Sequence, residues 1–215
     1  MPQAEGEGAN CDRLRTMKIL AVSGSLRAAS LNTMLLRAVV RLAPPDIQVA
    51  LYPGLGSLPL FNPDIEATDP APVADLRNRI MAADALVIAS PEYAHGVTGV
   101  LKNALDWMVG NESLINRPVA LLNASARAVH AQAALRETLV TMSARVMDSA
   151  CVTIPILGSN LTEDEVVHHP EISGKLVTSL RSLQAEVGAG PGVWATNGQP
   201  GAGAHGHPAS RIAGD

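Results

Sequence analysis

The chain has 215 residues and a formal net charge of −4, with only two Trp, two Tyr and one Phe among its side chains. This length suits one α/β domain, and the lack of a basic excess gives nucleic-acid binding no electrostatic support, so no nucleic-acid partner is expected. No apolar run reaches the roughly 20 residues that cross a bilayer, and the N-terminus lacks the apolar core of a signal peptide, so a cytoplasmic protein without a membrane partner is expected.

Short apolar runs alternate with amphipathic segments along the chain. Apolar runs bounded by turn residues predict buried strands, and apolar positions spaced three or four apart predict helices. In chain order the predicted elements are strand 18–23, helix 32–43, strand 47–52, helix 73–83, strand 85–89, helix 98–109, strand 119–123, helix 129–143, strand 150–154 and helix 172–187. This alternation predicts a five-stranded parallel sheet with helices on both faces, a three-layer α/β sandwich.

The two ends of the chain differ in composition from its middle. Residues 1–16 are rich in Gly, Glu and Ala, and residues 188–215 are rich in Gly, Pro, Ala and His. Segments with so few large apolar side chains bury too little surface to offset the entropy of ordering. We therefore predict a disordered N-terminal extension, one domain over residues 17–187 and a flexible C-terminal tail.

In an open parallel sheet, ligands bind beyond the carboxyl ends of the strands where the strand order reverses. The loops at these positions are 23–32, 90–96 and 123–130. The first of them joins a strand to a helix N-terminus, and it offers Gly24 for a close backbone approach and Arg27 for a bidentate bond to phosphate. We assign the phosphate end of a ligand to Ser23, Ser25, Arg27, Ser30, Leu31, Asn32 and Thr33.

This first loop lacks the sequence patterns of nucleoside triphosphate and dinucleotide sites, so it predicts a terminal phosphomonoester. The alternative is that Ser30 only caps the helix, but a cap alone explains neither Arg27 nor Ser25.

Two motifs resemble those of the NADPH-dependent FMN reductase family. Residues 23–32, Ser-Gly-Ser-Leu-Arg-x-x-Ser-x-Asn, resemble its phosphate loop. Residues 91–107, PEYAHGVTGVLKNALDW, resemble its PEYN-x-S-x-PG-x-LKNAIDW signature, and the resemblance extends over about 18–187. It implies a flavodoxin-like fold with strand order 2-1-3-4-5, bound FMN, NADPH or NADH as reductant, and a homodimer or homotetramer.

The second loop departs from the family at three positions, where Ala94, Gly96 and Thr98 replace its Asn, Ser and Pro. Backbone N–H groups are then expected to meet the polar rim of the flavin, while Tyr93 forms a wall against the ring or packs in the core. We assign this part of the site to Pro91, Glu92, Tyr93, Ala94, His95 and Gly96, with Glu92 in a structural role.

The third loop resembles the family's polar segment beside the flavin ring. Asn123 and Ser125 are assigned to the flavin rim. Arg127 is expected to face solvent, with the cofactor and the NADPH phosphate as open alternatives.

The resemblance implies an oxidoreductase that moves hydride from NAD(P)H through FMN to a small-molecule acceptor such as a flavin, a quinone, an azo compound or a metal oxyanion. No catalytic residue is assigned, because the cofactor carries this chemistry. An electron-carrying flavodoxin and a hydrolase of phosphate-bearing substrates are the alternatives.

Other candidate sites are set aside. Cys11 and Cys151 lie far apart and are predicted to be free thiols, with one long-range disulfide as the alternative. The pair His168 and His169 lacks neighbouring ligands of metal-site spacing, so no metal is expected. Trp107, near the end of its helix, is predicted to lie at a subunit interface.

Overall fold

The computed structural model describes residues 15–188. Nearly all of the predicted N-terminal extension and C-terminal tail, together with Cys11, lies outside the described residues. In chain order the elements are β1 (Met17–Ser23), α1 (Leu31–Leu42), β2 (Ile47–Leu51), α2 (Ala71–Ala82), β3 (Ala85–Ala89), β4 (Glu92–Tyr93), β5 (Gly96–Val97), α3 (Gly99–Val109), β6 (Pro118–Asn123), α4 (Val129–Thr141), β7 (Arg145–Val146), β8 (Val152–Thr153), α5 (Glu163–His168) and α6 (Pro170–Gly188). No helix within these residues is long and apolar enough to cross a membrane.

The main sheet is parallel and runs in the order β2-β1-β3-β6, with β7 and β8 both paired to the outer side of β6. In the central register Ile19 of β1 lies between Val49 of β2 and Ala85 of β3. When β7 and β8 are counted as one interrupted fifth strand, this is the predicted order 2-1-3-4-5. The flavodoxin-like three-layer fold is therefore confirmed.

Side chains along β1 point alternately to the two faces of the sheet and so contribute to two separate halves of the core. Ile19 and Ala21 pack in the half that contains α1 and α6, whereas Leu20 and Val22 pack in the half that contains α2, α3 and part of α4. Successive strand residues point to opposite faces, so a strand with no polar interruption needs helices on both sides. This arrangement leaves the loops at the carboxyl ends of β1, β3 and β6 together at one edge.

The prediction of a continuous fifth strand over 150–154 is wrong. Two-residue strands β7 and β8 flank a 3-10 turn at Asp148–Ala150, and Ile154 lies beyond the paired segment. The turn moves the backbone away from the middle of β6, where the N–H of Leu121 instead donates to Cys151 Sγ over 3.3 Å. A thiol thus takes the place of the missing carbonyl acceptor.

The prediction that Trp107 lies at a subunit interface is also wrong. Its side chain is 2% exposed within the single chain. The indole Nε1–H donates to the carbonyl of Pro59 over 2.8 Å, and the ring meets Phe61 edge-on with 5.1 Å between centroids. The indole therefore fixes the loop before α2 onto α3 instead of offering surface to a partner.

Candidate functional site

Loops at the carboxyl ends of β1, β3 and β6 border a cleft of about 360 Å³, a size typical of small-molecule sites. Its walls come from all three predicted loops and from one residue after β8. The lining residues are Ser25, Arg27, Ala29, Ser30, Leu31, Asn32, Pro91, Glu92, Tyr93, Asn123, Ala124, Ser125, Arg127, Ala128 and Leu157. Five of the site residues predicted from sequence do not line this cleft: Ser23, Thr33, Ala94, His95 and Gly96.

Two of the predicted phosphate residues shape the first loop from beneath. The hydroxyls of Ser23 and Thr33 share a hydrogen bond of 2.7 Å. Ser23 Oγ also accepts the N–H of Ser25 over 3.3 Å. These bonds direct both hydroxyls into the protein, so they support the loop and leave contact with a ligand to residues above them.

The start of α1 keeps two backbone donors free. Ser30 Oγ accepts the N–H of Thr33 over 3.3 Å, so Ser30 is a helix cap, as the alternative interpretation proposed. The N–H groups of Leu31 and Asn32, at the first two helical positions, have no acceptor within residues 15–188. Both residues line the cleft, so the cap uses one N–H group of this helix end and leaves two others available to a ligand.

Asn32 adds a buried polar atom that lacks a partner. The residue is 6% exposed, and its Oδ1 has no hydrogen bond to the part of the chain that the structure describes. A buried polar atom left unpaired costs about 1–3 kcal/mol. Because Asn32 lines the cleft, a ligand hydroxyl there would supply the missing donor.

Two arginines make the cleft electropositive. Arg27 and Arg127 both line it, and neither guanidinium has an ion pair or a side-chain hydrogen bond within the described residues. Other surface arginines are paired, such as Arg37 with Glu163 over 2.6 Å. Unpaired cations in a concave site attract and hold anions.

A pair of hydrogen bonds locks the first loop to the second. The N–H of Gly24 donates to the carbonyl of Ala89 over 2.8 Å. The carbonyl of Gly24 accepts from the buried hydroxyl of Thr98 over 2.6 Å. Threonine at position 98, where the family has Pro, therefore contributes a bond that proline cannot make.

Replacement of Thr98 by Val is expected to lower the free energy of unfolding by about 1–3 kcal/mol, because the carbonyl of Gly24 loses its donor in a buried place. Urea unfolding measures the change. Thr98→Ser keeps the hydroxyl and is the matched control. Equal stability of Thr98→Val and the wild type would show that this bond does not hold the two loops.

The second loop is a hairpin of β4 and β5 that turns through two left-handed residues. Ala94 has φ 49° and His95 has φ 60°, the backbone of a type I′ turn that favours Asn and Gly. Tyr93, 59% exposed, stands on the cleft side and is not a core residue. The hairpin therefore presents Pro91 and Tyr93 to the cleft and carries backbone strain at its tip.

Replacement of Ala94 by Gly is expected to raise the free energy of unfolding by about 1 kcal/mol, since glycine adopts positive φ without a Cβ penalty. Thermal or urea unfolding measures the gain. The same substitution at Ala134, an exposed position within α4, is expected to lower stability by a similar amount. A loss of stability in Ala94→Gly would contradict a strained turn.

Glu92 joins the second loop to the start of α4. One carboxylate oxygen accepts the N–H of Ala131 over 2.8 Å. The N-cap residue of α4 is Ala128, which has no side-chain acceptor, so Glu92 supplies the cap from a distant part of the chain. His95 and His130 pack on each other nearby, with ring centroids 4.3 Å apart. The predicted structural role of Glu92 matches this arrangement.

The third loop is built by its own side chains. Asn123 Oδ1 accepts the N–H of Ser125 over 3.0 Å, and Ser125 Oγ accepts the N–H of Arg127 over 3.2 Å. Arg127, expected to face solvent, is exposed and borders the cleft. Leu157 also lines the cleft and was missed, although it follows the fifth strand at the same sheet edge.

A parallel sheet of this order, with two N–H groups available at the helix end after β1 and a cleft across three loops, is typical of flavodoxin-like proteins. The family model for NADPH-dependent FMN reductase matches residues 17–157. The chain belongs to this family, as the two sequence motifs indicated. Family membership makes it an oxidoreductase with FMN as cofactor and NAD(P)H as reductant.

Relatives with established names agree in fold and sequence. The chain is 38% identical over 144 residues to an NAD(P)H-dependent FMN reductase of Pseudomonas aeruginosa, which covers 64% of this chain and 77% of that protein. It is 34% identical over 139 residues to a quinone reductase of Escherichia coli K12, covering 61% and 74% of the two chains. The structure of FerB, a flavoenzyme NAD(P)H:(acceptor) oxidoreductase from Paracoccus denitrificans, matches with a TM-score of 0.55 and 28% identity over 80% of this chain and 94% of that one.

Proposed function

We propose that the cleft binds FMN with its phosphate at the first loop and its ring between the second and third loops. Such a site would make the chain an NAD(P)H-dependent reductase of small-molecule acceptors. The observation that carries the proposal is a set of groups in one cleft that have no partner among residues 15–188: the guanidinium of Arg27, the N–H groups of Leu31 and Asn32, and the amide oxygen of Asn32.

These groups fit the polar end of FMN. A phosphomonoester carries close to two negative charges at neutral pH, and it is stabilised by a guanidinium and by the free N–H groups at a helix end. The ribityl chain offers hydroxyl donors, one of which would pair with Asn32 Oδ1. Ser25 and Ser30 line the same part of the cleft and add short hydroxyls.

The remaining walls fit the flat ring. Pro91 and Tyr93 present apolar surface from the hairpin, while the third loop presents Asn123 and Ser125. Bound FMN would supply the hydride and electron transfer between NAD(P)H and the acceptor, so no protein acid or base is required. The chain's part is to hold the ring and to keep the loops fixed through Glu92 and Thr98.

Quinones and free flavins are the first acceptors to test, since relatives are named for both. Azo compounds and metal oxyanions are further candidates. The test is anaerobic reduction of the purified protein with NADPH or NADH, followed by addition of a benzoquinone. Reoxidation with many turnovers supports the proposal, whereas a single reoxidation without turnover indicates an electron carrier.

We further propose that the enzyme acts as a homo-oligomer in the cytoplasm, with its single domain over residues 17–187 carrying the activity. Exposed apolar side chains around α3 support the oligomer, among them Leu60, Val109 and Ile115. Light scattering coupled to gel filtration gives the mass in solution, and a monomer at micromolar concentration would contradict the proposal.

A further inference from the structure

A second cavity of about 620 Å³ lies beside the cleft, between α4 and β8. We call it the α4–β8 groove, and it is lined by Leu121, Asn123, Ala126, Ala128, Val129, Gln132, Ala133, Arg136, Cys151, Val152 and Thr153. The groove exists because the fifth strand is interrupted. β7 pairs only with the start of β6 and β8 only with its end, so α4 lacks a full strand beneath it.

The groove and the cleft are separated only by the third loop. Asn123 and Ala128 line both cavities. Between them Ala126 faces the groove, whereas Arg127 borders the cleft. An elongated ligand can therefore lie across the loop with one end in each cavity and its middle beside Arg127.

The walls of the groove suit a flat heterocycle with a polar edge. Val129, Ala133 and Val152 supply apolar surface on either side. Gln132 Nε2 makes one long bond of 3.4 Å to the carbonyl of Leu122, and its Oε1 has no hydrogen bond within the described residues. A primary amide of this kind can pair with the N6 and N7 edge of adenine.

We propose that the α4–β8 groove receives the adenosine end of NAD(P)H and that Arg127 holds one of the nucleotide's phosphates. The inference rests on the proposed function. With FMN in the cleft and its single phosphate at Arg27, the guanidinium of Arg127 is free to bind a second anion, which the reducing nucleotide supplies. The nicotinamide reaches the ring, and the adenosine half lies across the third loop.

A filling substitution tests the groove. Ala133→Trp places an indole in it from an exposed position of α4. Ala134→Trp is the matched control, because Ala134 is equally exposed on the same helix and does not line the groove. The measured quantity is the dissociation constant of NADPH. It is obtained from the anaerobic rate of flavin reduction as this rate saturates with rising NADPH concentration. Ala133→Trp is expected to weaken the affinity for NADPH by about tenfold or more. The affinity for reduced nicotinamide mononucleotide, which lacks the adenosine half, is expected to stay the same.

A charge removal tests the phosphate contact. In Arg127→Gln, a weaker affinity for NADPH alone assigns the 2′-phosphate to Arg127, and equal weakening of NADPH and NADH assigns the pyrophosphate. FMN affinity is expected to change far less than nucleotide affinity in both cases. Lys18→Gln removes a charge that has no ion pair within the described residues and that lies at the start of β1, away from the cleft, and this variant is expected to match the wild type.

Alkylation of Cys151 gives a readout that does not depend on turnover. The thiol lines the groove, and burial raises its pKa, so labelling is done at alkaline pH and followed on the Cys151 peptide by mass spectrometry. NADP⁺ is expected to slow the labelling.

The inference is overturned if NADP⁺ does not protect Cys151 from alkylation or if Ala133→Trp and Ala134→Trp bind NADPH alike. It is also overturned if Arg127→Gln weakens the affinity for FMN instead of the affinity for the nucleotide. In each of these cases NAD(P)H still reduces the FMN of the wild-type protein, so the proposed function is not affected. A wild-type protein that binds no FMN contradicts the proposed function itself.

Discussion

Replacement of Arg27 by Gln is expected to weaken FMN binding by about 10- to 100-fold and to leave riboflavin binding unchanged. Hydrogen bonds to a charged group contribute about 1.5–3 kcal/mol, and each 1.4 kcal/mol is tenfold in affinity. Arg27 lines the cleft and its guanidinium has no partner within residues 15–188, so the substitution removes ligand contacts and none of the described internal ones. Riboflavin lacks the phosphate, so it reports on the ring and ribityl contacts alone.

Fluorescence quenching of each flavin by the apoprotein gives both affinities. Lys18→Gln is the charge-matched control and is expected to bind FMN as the wild type does. Raised salt is expected to reduce the difference between wild type and Arg27→Gln, because screening weakens the contribution that the variant has lost. An equal loss of affinity for FMN and for riboflavin would mean that Arg27 contacts the ring and not the phosphate.

Replacement of Gly24 by Ala is expected to lower the free energy of unfolding by about 3 kcal/mol and to abolish FMN binding. A Cβ at Gly24 would lie 2.6 Å from Ser90 Cβ, far inside contact distance. Gly24 also bonds the second loop through Ala89 and Thr98, so the clash cannot be relieved without moving the phosphate loop. Urea unfolding and flavin quenching measure the two effects.

A second substitution separates this clash from any general effect of alanine. Ser90→Gly removes the side chain that a Cβ at Gly24 would meet, so the double variant is expected to recover about 1–3 kcal/mol of the loss. Gly174→Ala, on the exposed side of α6 with nothing near its Cβ, is expected to stabilise the chain by up to about 1 kcal/mol. Additive effects of Gly24→Ala and Ser90→Gly would contradict a direct contact.

Much of the fold follows from local pattern. The first four predicted strands form close to their expected positions. β3 and β6 are buried along their whole length and need two covering layers, whereas β2, at the end of the sheet order, alternates buried and exposed residues. The strand order and the edge that carries the site then follow from general rules for parallel sheets. The capping box of α5, Thr162 with Glu165, was also present in the sequence, and a search for that motif would have found this helix.

Other features depend on contacts between distant residues. The burial of Trp107 requires the carbonyl of Pro59 and the ring of Phe61, which no periodicity along α3 reveals. The interruption of the fifth strand is compensated by Cys151, a thiol that accepts a hydrogen bond from another strand. The spacing of residues along the sequence predicts neither the contacts of Trp107 nor the hydrogen bond to Cys151.

The same distinction applies within the site. Residue types and loop position were enough to select Arg27, Ser30 and Asn32. They could not tell which hydroxyls point inward, and the bond between Ser23 and Thr33 turns two predicted ligand contacts into supports of the loop. Arg127 illustrates the opposite case, since its unpaired position beside the cleft appears only in three dimensions.

The visible spectrum of the purified protein, recorded before and after anaerobic addition of NADPH, tests the central claim most directly. The site described here predicts a flavin band near 450 nm, present on purification or after FMN is supplied, that bleaches when NADPH is added. NADH serves as the second reductant in the same experiment. A protein that shows no flavin band and does not change after FMN is supplied would contradict the assignment of the cleft.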